Sequence, residues 1–288
     1  VIGSIGYKTS SIDTKKIALK MLERNIDIIV FVGGDGTARD IVEVVDKKIP
    51  ILGIPSGVKM YSSIFASTPE DGGIVLKKFY EHRLVREGEI LDIDENAFRK
   101  DRIDIKMYAY ALTPDVGSLI QSSKEVFYSE SDEENKKGIA KYIVEMMDKD
   151  TIYILGAGTT VKAITDFLGL SKTVLGIDIM HNFSIIKYDV NEREIIDTLK
   201  EYPSKKFKII VSPLGRQGYI FGRGNQQISP KVIRMVGINN IIIIATKQKL
   251  KITPYLRVDT GDKRLDRVLK GYRRVVIDYY EEKIVKVI

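Results

Sequence analysis

Asp27-Ile28-Ile29-Val30-Phe31-Val32-Gly33-Gly34-Asp35-Gly36-Thr37 runs from an apolar segment through a glycine-rich turn into a helix-compatible stretch over 37–46. A continuous apolar run of this length reads as a strand buried in a parallel sheet. Glycines at the turn tolerate positive φ and allow a ligand to approach the backbone. The helix that follows would aim unsatisfied N–H groups at the turn, which suits a phosphate. Asp35 then stands at the carboxyl end of a strand, where open α/β sheets bind ligands. A carboxylate there makes sense as the base for an attacking hydroxyl or as a Mg²⁺ partner. The alternative is a tight strand-to-helix turn with Asp35 as an N-cap.

The pattern around this stretch is alternating. A helix is expected over 15–24, with Ser11 and Asp13 as caps, and a strand over 50–54 that ends at Pro55-Ser56-Gly57. A helix over 70–82 follows. Strands alternating with helices imply βαβ units and a parallel sheet. From 85 the pattern turns to β segments, 85–93 and 102–112, with a turn at 94–101. A charged stretch, 129–137, reads as a loop or helix start. Beyond 151 the alternation returns. Strands are expected over 152–155, 174–179, 207–211 and 238–246, helices over 160–168 and 230–236, and a strand pair over 273–280 and 283–288. The expected fold is α/β. A Rossmann-like first domain spans 1–84 and a second α/β domain spans 85–264. Residues 265–288 return to the first domain, and the site lies in the cleft between the two.

Composition narrows the function. The 288 residues contain no cysteine, which excludes disulfides, thiolate nucleophiles and cysteine zinc sites. Two histidines, His82 and His181, cannot make a three-histidine metal site. A net charge of +7 attracts an anionic ligand such as a nucleotide. No basic tract interleaved with aromatics and no nucleic-acid motif is found, so no nucleic-acid partner is expected. No apolar run reaches the roughly 20 residues of a membrane span, and no charged-then-apolar leader is visible at the start. The expected location is the cytoplasm, with no membrane partner. Dense charge without Trp or Cys leans towards a thermophilic source. The Gly-x-x-x-x-Gly-Lys-Ser/Thr phosphate loop is absent.

Val32-Gly33-Gly34-Asp35-Gly36-Thr37 resembles the signature loop of NAD kinases, diacylglycerol kinases and sphingosine kinases. The whole chain is similar to the ATP-NAD kinase-like group of archaea and bacteria. The segments that carry this are Gly53-Ile54-Pro55-Ser56-Gly57-Val58-Lys59-Met60-Tyr61-Ser62, Leu155-Gly156-Ala157-Gly158-Thr159-Thr160, Gly222-Arg223-Gly224-Asn225-Gln226-Gln227-Ile228-Ser229-Pro230 and Arg257-Val258-Asp259-Thr260-Gly261. The resemblance implies a small-molecule kinase with ATP or polyphosphate as donor, Mg²⁺ carried mainly by the nucleotide phosphates, and the 2′-hydroxyl of NAD as acceptor. A lipid or polyol acceptor and a nucleotide-binding protein without turnover are the alternatives.

Carried over, Asp35 is the base, with Gly33, Gly34, Gly36 and Thr37 as the phosphate cradle. Ser56, Gly57, Lys59 and Tyr61 form a substrate edge. Gly156, Gly158, Thr159 and Thr160 open a helix and suit a second phosphate. Asp178, about 20 residues on at a strand end, reads either as a strand-terminal cap or as a partner for a ribose hydroxyl. Arg223, with Gly224, Asn225 and Gln226, offers a bidentate fork to an anion. A homo-oligomer is expected. The chain departs from the family pattern twice. It carries Asp94-Glu95-Asn96 where an Asn-Glu pair is usual, and it starts at the segment matching Gly3 to Thr9, so the family's first strand is expected to be missing.

Overall fold

The computed structural model describes residues 9–57, 60–93, 105–116, 119–120, 130–215 and 217–288. Lys59, Asp94-Glu95-Asn96, the turn at 94–101 and the segment preceding Thr9 fall outside the described residues. The chain forms two compact units, Val1–Val126 and Phe127–Ile288.

In the first unit, β1 (Ile29–Gly33) runs parallel to β2 (Ile51–Pro55), with Ile29 opposite Ile51 and Gly33 opposite Pro55. Helix α1 (Ser11–Leu22) starts one residue after Ser10, and Asp13 accepts from both the Ser10 N–H, at 2.8 Å, and the Ser10 hydroxyl, at 3.0 Å. The cap is therefore Ser10, one residue before the expected Ser11. Helix α2 (Asp35–Val45) buries Ala38, Ile41, Val42 and Val45 at helical spacing. Helix α3 (Pro69–His82) begins at a Thr68 cap that accepts from Asp71 N–H. Strands β3 (Val85–Ile93) and β4 (Ile105–Pro114) form an antiparallel hairpin that packs on α2.

The core of this unit joins Ile29, Phe31, Ile41, Val42, Val45, Ile51, Phe65 and Ile90. Phe31 and Phe65 meet edge to face, 5.6 Å between centroids. The hairpin was expected to open the second domain; its packing against α2 places it in the first unit instead. The strand reading of 27–32 also needs correction. Burial in β1 alternates, and Val32 is 72% exposed. Among the described residues the strand has one hydrogen-bonded neighbour, β2, and its burial is one-sided, not that of an interior parallel strand.

The second unit is built on a seven-stranded mixed sheet of order β13-β12-β10-β8-β5-β6-β7. Strands β5 (Ile152–Leu155), β8 (Phe207–Val211), β10 (Ile241–Ile244) and β12 (Gly271–Asp278) are parallel. At the two margins β6 (Asp178–His181) pairs antiparallel with β5, β7 (Ser184–Lys187) antiparallel with β6, and β13 (Glu281–Val287) antiparallel with β12. Helices α4 (Glu130–Glu145) and α5 (Thr159–Phe167) cover one face through Ile139, Ala140, Ile143, Val161 and Ile164, which meet Tyr153, Leu155, Ile210, Ile244 and Val276. Helices α6 (Glu192–Glu201) and α7 (Pro230–Val236), α8 (Lys247–Ile252) and α9 (Lys263–Leu269) complete the alternation, with the short pair β9 (Tyr219–Phe221) and β11 (Arg257–Val258).

Two expectations change here. β12 and β13 pair as foreseen, but β12 hydrogen-bonds to β10, so 265–288 belongs to the second unit's sheet and does not return to the first. The strand expected over 174–179 begins only at Asp178, because Val174 to Ile177 form a loop.

Gly53 in β2 lies under the Phe65 ring, and a Cβ there would overlap ring carbons Cδ1 and Cε1. Phe65 is fully buried and held by Phe31. The Gly53→Ala variant is therefore expected to lose about 1–3 kcal/mol of stability through overpacking, read as a lower urea-unfolding midpoint.

Candidate active site

The Gly33-to-Thr37 turn is shaped by side-chain and backbone contacts rather than by unusual φ. None of Gly33, Gly34 and Gly36 adopts a positive φ. A Cβ on Gly33 would stand 2.6 Å from Thr37 Oγ1, so the Thr37 side chain folds over Gly33. Gly34 is the N-cap of α2, and its carbonyl accepts the first helical bond, from Ala38 N–H at 3.0 Å. The N–H groups of residues 35–37 precede that bond and point out of the helix start. Gly36 is exposed, with open space where a Cβ would be.

Asp35 is the first residue of α2, not its cap. Its half-buried carboxylate accepts two backbone bonds, from Tyr61 N–H to Oδ2 and from Ser62 N–H to Oδ1, both 2.8 Å. Ser56 N–H donates to Gly33 O at 3.1 Å. The turn after β1 and the segment after β2 are thus laced together. Of the expected substrate edge, Ser56 is exposed and Gly57 is half-buried, while the Tyr61 side chain is buried and contributes its N–H. Ser62 and Ser63 were not singled out in the sequence. Their hydroxyls accept Leu91 N–H at 2.9 Å and Glu89 N–H at 2.7 Å, which ties this segment to β3.

In the second unit, the parallel strands bring the loops that follow β5, β8 and β10 to one edge of the sheet. Gly156 N–H donates to Ile210 O at 2.8 Å, and a Cβ there would stand 2.9 Å from that carbonyl. Gly158 is the N-cap of α5 with φ +111°, a conformation that favours glycine. Thr159 is exposed. Thr160 is fully buried, and its Oγ1 has no hydrogen-bond partner among the described residues. At the same edge Lys249 donates to Ser212 Oγ at 2.9 Å and to Pro213 O at 3.2 Å, a cation the sequence alone did not mark.

Asp178 is turned into the interior of the second unit. It is fully buried, and its carboxylate accepts Thr173 N–H at 2.8 Å, Thr173 Oγ1–H at 2.6 Å and Asp189 N–H at 2.8 Å. The Lys172 ammonium, also with a fully buried side chain, stands 4.0 Å away and donates to Thr173 O and Gly176 O. These bonds fold the 172–178 loop so that Val174 O receives Gly158 N–H at 2.7 Å. The spacing that suggested a ribose ligand instead marks a buried brace for the glycine turn.

The residues expected to form an anion fork also separate. Arg223 pairs with Asp259 at 3.4 Å and lies over the Tyr219 ring at 5.3 Å. Asn225 points inward, with Nδ2 donating to Ile220 O at 2.7 Å, while Gln226 is exposed. Gly222 at φ +91° and Gly224 at φ +85° turn the chain between them, and Gly222 abuts the Asp259 backbone. Nearby, Asp262 caps α9 through Arg264 N–H and Leu265 N–H and pairs with Arg234. The Arg234 bond, then the capping N–H groups, hold its carboxyl down from 3.8 to about 2. Among the described residues no three His, Cys, Asp or Glu side chains group as metal ligands, and the Asp35 oxygens already accept two N–H bonds. These side chains do not by themselves form a Mg²⁺ site.

Two outcomes follow from these contacts. Asp178→Asn removes the buried negative charge 4.0 Å from the Lys172 ammonium, so the variant is expected to lose about 3 kcal/mol in chemical denaturation. Asp262, with a folded-state value below the unfolded one, stabilises fully above about pH 3.8 and loses that contribution as pH falls towards 2. Removing the guanidinium in Arg234→Ala is expected to raise the pH of the acid-unfolding midpoint, followed by circular dichroism.

Among the described residues no helix is long and apolar enough to cross a membrane. Searches of curated proteins and of solved structures return no match. Two family models do match. The ATP-NAD kinase N-terminal domain matches residues 4–84, which contain the Asp35 turn, and the ATP-NAD kinase C-terminal domain matches residues 148–287, which contain the Gly156 and Gly222 loops. With both halves of the family pattern present in order on an α/β frame, the chain belongs to the ATP-NAD kinase family of phosphotransferases.

Proposed function

We propose that this protein transfers a phosphoryl group from ATP, or from polyphosphate, to the 2′-hydroxyl of NAD, giving NADP. The observation that carries the reading is the Asp35 carboxylate, oriented by two N–H donors at the very start of α2. These N–H bonds, one to each oxygen, fix the plane of the carboxylate that would take up the proton of the acceptor hydroxyl. In the proposed step Asp35 takes the proton of that hydroxyl as its oxygen forms a bond to the terminal phosphorus. The bond from that phosphorus to the bridging oxygen breaks, and the shortened donor leaves with the electron pair. The N–H groups of Gly36 and Thr37 and the positive end of α2 stabilise the charge on the transferring group. Mg²⁺, carried by the triphosphate oxygens, supplies further charge neutralisation when bound.

In the second unit the start of α5, with Gly156, Gly158, Thr159 and Thr160, is the place assigned to a further phosphate. The buried Thr160 hydroxyl without a partner supports this, since such a group is costly to leave unmade. Arg223, Gly224 and Gln226 remain candidates for contacts to the substrate; Asp178 does not. The two bonds that already engage Asp35 favour one second reading, a nucleotide-binding protein that does not turn over.

Incubation with ATP, Mg²⁺ and NAD is expected to yield NADP. Asp35→Asn is expected to lower the rate by roughly 10²-fold or more through loss of the base. The variant should also melt at a lower temperature, because the amide Nδ2 cannot accept an N–H bond. Thermal stabilisation by ATP or NAD with no phosphorylated product would favour the binding protein. Consumption of ATP with a lipid or polyol alcohol, and not with NAD, would move the acceptor class.

A further inference from the structure

The position of the Asp35 carboxylate is set by Tyr61 N–H and Ser62 N–H, and something must hold that pair of donors in turn. Ser62 is fully buried. Its Oγ accepts Leu91 N–H at 2.9 Å and stands 3.5 Å from Leu91 O. Ser63, 4% exposed, repeats the arrangement two residues back along β3. Its Oγ accepts Glu89 N–H at 2.7 Å, its N–H donates to Glu89 O at 2.9 Å, and its carbonyl accepts Arg86 Nη2 at 2.9 Å. Among the described residues the strand order places β4 beside β3 and no second strand. The two serines therefore serve the other edge of β3, at residues 89 and 91, with a pair of hydroxyls in place of a strand. A buried site gives no water to stand in for a missing hydroxyl, so the register of the donors depends on these contacts.

We propose that Ser62 is a positioning residue for Asp35: its hydroxyl, locked to the Leu91 backbone, fixes the two N–H donors that orient the carboxylate, and so couples the β3–β4 hairpin to the reacting centre. This rests on the assignment of Asp35 as the base. It assigns a role to a residue that touches neither substrate nor the transferring group. A base displaced by a fraction of an ångström is a poorer base for a bound hydroxyl, while the binding surfaces for donor and acceptor are unchanged.

The test uses the full chain with Ser62→Ala, which removes the acceptor, and Ser62→Cys, which keeps the volume and weakens it. Two readouts are taken. In steady-state assays with ATP, Mg²⁺ and NAD, kcat is expected to fall by about tenfold or more in Ser62→Ala and by less in Ser62→Cys, with both KM values within about twofold. In native-state hydrogen exchange, the Tyr61 and Ser62 amides are expected to exchange about tenfold faster in Ser62→Ala, while Ile209 in β8 is unchanged. Unaltered exchange at Tyr61 and Ser62, or a change in KM at constant kcat, would overturn the positioning role and leave the kinase reading standing. A wild-type protein that phosphorylates nothing but shows the exchange response would overturn the kinase reading and leave the clasp standing. Should neither variant fold, Ser62 is a folding residue and the proposal is wrong.

Discussion

The two bonds from Tyr61 N–H and Ser62 N–H to the Asp35 carboxylate hold the first unit's functional parts together. Each side of the contact is fixed by ordinary packing. Asp35 is fixed because α2 is pinned by Ala38, Ile41, Val42 and Val45 against β1 and the hairpin. The donors are fixed because the segment after β2 is stitched to β3 by two buried serines. A negative group at a helix start also complements the helix dipole. The result is a carboxylate whose orientation is set before any ligand arrives, at a place where N–H groups face outward. Under the proposed function, a reaction that depends on alignment and charge stabilisation more than on covalent chemistry, such preorganisation would be the protein's main contribution.

The second unit reaches a similar end by different means. Parallel strands put successive loops at the same edge, so Gly156, Ser212 and Lys249 become neighbours although they are far apart in the chain. The glycine turn is steadied from below by the buried Lys172–Asp178 pair and its network of backbone bonds. Taking two charges out of water is costly, and the pair is tolerable because each partner also bonds to backbone or hydroxyl groups. The arrangement explains why a carboxylate at the spacing of a ribose ligand is instead buried and engaged by backbone and hydroxyl donors.

Much of the architecture was legible from local pattern. Ser229-Pro230 ahead of an apolar helical stripe marks the start of α7, and the structure has Ser229 as cap and Pro230 as first residue. The apolar runs of β5 and β8 read directly as strands, and the turn at Asp35 stands between a strand and a helix as expected. What misled was local similarity without knowledge of neighbours. Val174-Leu175 looks like the opening of a strand, but the buried brace at Asp178 makes it a loop. Val30 and Val32 read as interior residues, yet burial along β1 alternates and leaves both of them exposed.

By itself the sequence determined that a Gly-Gly-Asp-Gly-Thr turn links a strand to a helix, that the alternation of elements is α/β, and that the pattern is that of the ATP-NAD kinase family. These depend on residue types at short spacings, which local backbone preferences and apolar periodicity express directly. Only the tertiary structure decided that Asp35 is clasped by Tyr61 and Ser62, that Asp178 is interior, that the β3–β4 hairpin belongs with the first unit, and that Lys249 reaches the loop after β8. Those outcomes turn on which groups are brought together across tens of residues and hidden from water, and no spacing within a single segment encodes that.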